Sequence, residues 1–228
     1  MFTRNNRDWA VNGEYDVIML NVKPPPLLVV VCGPSGSGKG EALKFLTECG
    51  LEKVITYTTR SPRPGEIDKL HYNFITEEEF SDLDKQGKFL EYNRTYYRDI
   101  YASPMEILSF SDRTPNQVME LDPEGYFFTK ANSLRQVIGL FILPPNIEEL
   151  RTRIQLRSEN SKEELERRIT LAKRQVMNAW MYDYILINDD IDLFRQQLSV
   201  LSDVLLTKQA SLSMLGNLVK EIRNSDNQ

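Results

Sequence analysis

The stretch Val29–Glu41, VVVCGPSGSGKGE, constrains this chain more than any other. It begins within an unbroken apolar run, Leu27 to Cys32, of the kind that forms a strand buried on both faces of a parallel sheet. Gly33, Pro34, Ser35, Gly36, Ser37, Gly38 and Lys39 follow, and a helix is predicted to start there. Gly-x-x-x-x-Gly-Lys between a buried strand and a helix is a phosphate-binding loop. Its glycines let several backbone N–H groups turn toward one anion. The helix N-terminus adds partial positive charge and Lys39 a full one. A nucleoside triphosphate is the expected guest. The Ser or Thr that usually follows the lysine, and whose hydroxyl touches magnesium, is here Gly40, with Glu41 next.

Strand and helix signals alternate along the rest. The helix from Lys39 is predicted to run to about Cys49, with Gly50 as its stop. Lys53–Thr58 (KVITYT) reads as one strand, and Thr59–Glu66 as a Pro/Gly loop carrying Arg60 and Arg63. His71–Phe74 reads as a short strand, and Thr76 with Glu79 as a capping box. Lys88–Tyr101 gives two short antiparallel strands, and Ser103 reads as the N-cap of a helix. Gln117–Leu121 is a strand ending at Asp122, and Arg135–Leu143 a buried strand. Asn146 and Ser161 each cap a helix, Asp183–Asn188 is the last strand, and Asp190 to about Thr207 the last strong helix. Beyond Lys208 the chain reads as a polar, frayed tail. This alternation predicts an α/β fold, a parallel sheet covered by helices, with a small mixed insertion over Asn73–Tyr101.

Composition narrows the function. A chain of 228 residues can bury one full core, with room for a mobile subdomain. Its net charge of −5, without a Lys/Arg block, argues against nucleic acid as a partner, and no apolar run is long enough to span a membrane. Cys32 and Cys49 make no disulfide framework, which fits a reducing, cytoplasmic location. The single histidine, His71, leaves little for a zinc site or a Ser-His-Asp triad. Residues 1–26 lack a secretory pattern and read as an added strand (Tyr15–Leu20) or a disordered arm, joined through the stiff Pro24–Pro26.

Phosphoryl transfer needs positive charge around the transferred group and exclusion of water. Arg60 and Arg63 suit an acceptor phosphate. Arg153 and Arg157, four apart on one helix, and Arg168 suit closure over the moving phosphoryl. Each of these arginines alone reads equally as half of a surface ion pair with a neighbouring glutamate.

Four segments, in order, resemble guanylate kinase, a nucleoside monophosphate kinase of the P-loop class: GPSGSGKG; TYTTRSPRPGE with HYNF; FLEY; and the run from FILPPNIEEL through RSENSKEELERRI to YDYILINDD. The resemblance implies a P-loop kinase core over residues 27–207, with a GMP-binding region at about 56–103 and a helical lid at about 150–170. Residues 1–26 then form an N-terminal extension and 208–228 a C-terminal tail. It implies transfer from ATP to GMP, with Mg2+ accompanying ATP; dGMP as acceptor, and monomer or homodimer, stay open. Arg60, Arg63, Tyr72 and Tyr101 match the family's contacts to the GMP phosphate. Glu91 matches the carboxylate that reads guanine N1–H and its amino group, Ser103 the hydroxyl at O6, and Thr56 the family's serine. Asp122 matches an acidic residue near the base and magnesium, reached through water. Lys39, Arg153, Arg157 and Arg168 match the catalytic cations, and Asn188 a residue near adenine. Cross-strand packing is the lesser alternative for Tyr72 and Tyr101.

This sequence departs from the family pattern at Gly40 with Glu41, at Ala102 and Lys69 where glycine is usual, and at Ser158 in the lid. A second class of function is a guanylate-kinase-like domain that has lost catalysis and binds partner peptides. Retention of Lys39, the loop glycines and the lid arginines favours the enzyme. A kinase for another small phosphate ester is the remaining alternative; Glu91 with Ser103 argues for guanine.

Overall fold

A computed structural model describes residues 24–94, 99–111, 113–157 and 161–226. The strand expected at Tyr15–Leu20 and the lid departure at Ser158 lie outside these. The apolar run forms β1 (Leu27–Cys32), every residue of which is buried. Alternate residues of a strand face opposite sides, so β1 feeds two layers. Leu27, Val29 and Val31 pack with Ala42 and Leu46 of α1 (Lys39–Glu48) and with Phe194, Leu198, Leu201 and Leu205 of α6 (Ile191–Asp226). Leu28, Val30 and Cys32 pack with Tyr126 of α3 (Pro123–Asn132) and with Tyr182.

The core sheet is parallel throughout, in the order β2-β7-β1-β8-β9, with β2 at Glu52–Lys53, β7 at Gln117–Glu120, β8 at Gln136–Leu143 and β9 at Tyr184–Ile187. Covering is complete at β1 but not at the β9 edge, where Tyr184, Ile185 and Ile187 are exposed. A second sheet, ordered β4-β3-β6-β5, holds β3 (Tyr57–Thr58), β4 (Asn73–Phe74), β5 (Phe89–Arg94) and β6 (Ile100–Pro104). Its small core is Phe80 of α2 (Glu77–Lys85), Phe89, Ile100 and Ala102, and Thr76 and Glu79 complete the expected capping box.

Three local expectations are corrected. Lys53–Thr58 is not one strand: Lys53 ends β2 in the core sheet and Tyr57 begins β3 in the other, so the segment is the bridge between sheets. Ser103 is not a helix cap. It lies within β6, and Met105–Leu108 is a single 3-10 turn with no side-chain cap, because Ser103 is paired across the strand with Glu91. The last helix does not end at Thr207 but continues to Asp226. One helix was missed, α3, although its start carries two ordinary signals: Asp122 accepts the N–H of Gly125 as N-cap, and Pro123 occupies the first turn.

The region expected to form a lid, about 150–170, falls on α4 (Ile147–Arg157) and α5 (Lys162–Met177), which pack through Leu150, Ile154, Leu165, Ile169 and Ala172. Asn146 and Ser161 cap them through the N–H groups of Glu149 and Glu164.

Candidate active site

The loop Gly33–Gly38, expected to bind phosphate, lies between β1 and α1, with Gly36 against α4. Gly38 has φ +106°, and a Cβ there would stand 2.0 Å from Nδ2 of Asn188, so neither the conformation nor the space admits another residue. Asn188 is buried, donates to the carbonyl of Ser37 at 2.9 Å, and accepts at its own carbonyl from Nη1 of Arg153 at 3.0 Å. Gly36 faces Leu150 and Ile154 of α4, which places the lid helix directly on the loop. Ser37 Oγ is buried without a hydrogen-bond partner among the described residues. Ser35 and Gly40 are exposed, and Pro34 is buried.

Lys39 folds back along the loop. Its Nζ donates to the carbonyls of Gly33 (2.9 Å) and Pro34 (3.1 Å) and pairs with Glu120 at 3.3 Å. Glu120, at the carboxyl end of β7 and 48% exposed in its side chain, was missed by sequence reasoning. The signal was present: it stands two residues before Asp122, and period two on a strand puts such residues on one side.

A second cluster sits on the Pro/Gly loop that carries Arg60 and Arg63. The guanidinium of Arg60 forms a two-pronged pair with Glu66, at 2.6 and 2.7 Å, and donates from Nε to the Tyr101 hydroxyl at 2.9 Å. Its charged plane lies 5.2 Å from the centre of the Tyr72 ring. The Arg60 bond, with that from the Arg63 N–H, holds the Glu66 carboxyl down at about 2. Tyr72 packs edge-on to both Phe74 and Tyr101 at 5.8 Å. Burial, and then Glu120, push the Tyr72 hydroxyl upward. Lys53, donating to the carbonyl of His71, bridges toward this cluster, and burial lowers its ammonium. His71 is structural: its Nδ1 accepts the N–H of Ile67. The Arg63 side chain is exposed.

A third cluster would read a base. Glu91 and Ser103 are register partners in the antiparallel β5–β6 pair, and Ser103 Oγ donates to Glu91 Oε1 at 3.0 Å. Burial, with Asp122 nearby, raises the Glu91 carboxyl above the usual carboxylate range. A Cβ on Gly125 would stand 2.7 Å from that carboxylate, so the start of α3 is closed against Glu91. Asp122 spends Oδ1 on the helix cap. Thr56 lies in the bridge between sheets, and its carbonyl accepts the N–H of Asn73.

The lid arginines are less gathered. Arg153 reaches the loop through Asn188 and also pairs with Glu149 at 2.8 Å. Arg168 is paired with Glu164 at 2.9 Å, and Arg167 with the same carboxylate. Arg157 ends α4, and its side chain lies outside what the structure describes. Glu41 points away from the loop to Arg195 of α6.

Among the described residues no three His, Cys, Asp or Glu side chains converge as a metal cage. The nearby donors are the carboxylates of Glu120 and Asp122, and this sparse set fits Mg2+ held chiefly by water and phosphate oxygens.

The sequence matches the family description "Guanylate kinase" over residues 26–204. It is 37% identical over 183 residues to the guanylate kinase of Wolbachia pipientis wMel, covering 79% of this chain and 90% of that one. With the enzyme of Caldanaerobacter subterraneus subsp. tengcongensis it shares 38% over 176 residues, 76% and 84% of the two chains. The crystal structure of guanylate kinase from Anaplasma phagocytophilum superposes with a TM-score of 0.62 at 25% identity, covering 82% of this chain and 88% of that one. The chain belongs to the guanylate kinase family, the ATP-dependent kinases that phosphorylate GMP.

Proposed function

We propose that the three clusters act in one reaction, ATP + GMP to ADP + GDP. The observation that carries this is the half-buried Glu91–Ser103 pair, set across a strand pair and backed by the start of α3. Guanine offers this pair two donors, N1–H and the exocyclic amine, and one acceptor, O6. Adenine reverses the pattern and leaves the buried carboxylate facing a lone pair.

The residues then divide the work. Gly33–Gly40 and Lys39 hold the triphosphate of ATP, with Asn188 fixing the loop from beneath at Ser37. Arg60, Arg63, Tyr72 and Tyr101 hold the GMP phosphate, and Glu66 keeps Arg60 in place for it. Arg153, Arg157 and Arg168 supply positive charge from the lid, and Thr56 lies beside the acceptor. Asp122 and Glu120 would hold Mg2+ through water, and the ion would supply neutralisation of charge on the transferred phosphoryl. The lid and acceptor region exclude water while the acceptor oxygen approaches in line. Use of dGMP and a cytoplasmic location, which the free thiols of Cys32 and Cys49 suit, belong to the same reading.

The test is ADP release with GMP, dGMP, AMP, UMP and CMP at saturating Mg-ATP. GMP is expected to exceed AMP by about a hundredfold or more in kcat/KM. Comparable rates for the two would remove the guanine assignment.

A further inference from the structure

The core-facing residues of α6 are Phe194, Leu198, Leu201 and Leu205, spaced four, three and four. Continued along the sequence, that spacing meets Lys208 and then Leu212, Leu215, Val219 and Ile222. The apolar spacing therefore goes on in the sequence, while among the described residues of this stretch the apolar side chains are exposed. Gln209 ties the helix to the core sheet, donating to Gln136 at 2.6 Å. Past it, Leu212, Leu215, Leu218 and Met214 are 36%, 54%, 53% and 72% exposed on a helix that continues to Asp226. An isolated helix of that length is marginal in water, so this half calls for a packing partner.

The place where the described chain begins identifies a partner. Pro24 and Pro26 line a groove of about 380 Å³ with Leu206, Gln209, Ala210 and Ser213 of α6. The preceding residues thus start beside the point at which the helix leaves the core. They include Val17-Ile-Met-Leu20 and Val22, a dense apolar run that the kinase chemistry does not use. The lengths agree: residues 213–226 of a helix span about 20 Å, and six extended residues span about 20 Å.

We propose that residues 1–23 dock the run Val17–Val22 along the outer half of α6, in the same molecule. A second copy is the competing occupant, and two observations disfavour it. The stripe free of the core covers only about two heptads. Met214 and Leu218 also widen it beyond a two-stranded seam, toward a face that a laid-on segment covers better. A tethered segment further acts at an effective concentration of order millimolar, which a free partner does not reach.

Amide hydrogen exchange on the full chain tests this, at two protein concentrations and alongside light scattering. The comparison chains are the full-length double variant Ile18→Asp/Leu20→Asp and a chain lacking residues 1–20. Amides of residues 210–222 are expected to exchange about tenfold or more slowly in the parent than in either variant. That protection should not change with concentration, and GMP phosphorylation should stay within about twofold, since the contact is remote from the base and phosphate residues. If the deletion fails to fold, the double variant alone decides. Equal exchange in parent and double variant overturns the proposal. So does protection that grows with concentration together with a dimer mass, which assigns the face to a second copy.

Discussion

The carboxylate of Glu41 is held by Arg195, with Oε1 at 2.5 Å from Nη2 and 2.9 Å from Nε. The acidic residue that follows the phosphate loop is thereby turned from the loop toward α6. A carboxylate aimed at a triphosphate would oppose binding; one fixed on another helix does not. Glu41→Thr is therefore expected to leave the KM for ATP within about twofold, because no repulsion is relieved. A marked tightening of ATP binding would show that Glu41 faces the phosphates.

Gly125 closes the back of the proposed base site. A methyl group there would collide with the Glu91 carboxylate at 2.7 Å and displace it. Gly125→Ala should raise the KM for GMP about tenfold or more, some 1.4 kcal/mol of lost binding, with the KM for ATP nearly unchanged. Equal effects on both substrates would point to a general disturbance of α3 instead.

Glu91 must be ionised to accept from guanine, and its carboxyl is raised by burial and by Asp122. A raised carboxyl takes up its proton earlier as pH falls. The kcat/KM for GMP should accordingly decline at a higher pH than an ordinary glutamate, near 4.3, would give. Glu91→Gln should lower the neutral-pH value sharply, remove this acidic limb and leave AMP almost untouched. An unshifted limb in the variant would assign it to another group.

Lys69 stands in the left-handed region, at φ +61°, where the family pattern has glycine. Holding a side chain there costs of order 1 kcal/mol. Lys69→Gly is expected to raise the melting temperature by no more than about 2 °C, because the greater chain entropy of glycine offsets half or more of the strain relieved. A fall would mean that Lys69 makes a stabilising contact outweighing its backbone strain.

Legibility differed along the chain for physical reasons. β1 and the start of α1 were fixed by an apolar run, a glycine pattern and a lysine, all local, and they fall where expected. The lid caps at Asn146 and Ser161 were equally local. Lys53–Thr58 misled because a run with five β-favouring residues says nothing about which sheet each joins; that depends on partners far off, Asn116 and Val118 for one end and Ala102 for the other. Ser103 misled because a good N-cap residue and a strand residue paired with Glu91 look alike without the register. The end of α6 was lost to a polarity argument, although its three-four spacing runs on past Lys208. The approach of Gly125 to Glu91, and of Asn188 to Gly38, joins distant segments and has no local trace.

The bonds of Lys39 to Gly33, Pro34 and Glu120 mean that its ammonium, with three donors, already has an acceptor for each. An arriving anion meets no idle charge; it must exchange with those acceptors, and the net gain is the difference between two solvated pairings. A single free phosphate replaces few of them and has little to offer in return. A chain of phosphates reaches from the lysine onto the N–H groups that open α1, and recovers more than it displaces. On the proposed reading, an anion long enough to span both the lysine and the N–H groups that open α1 therefore gains more from this loop than a single phosphate does.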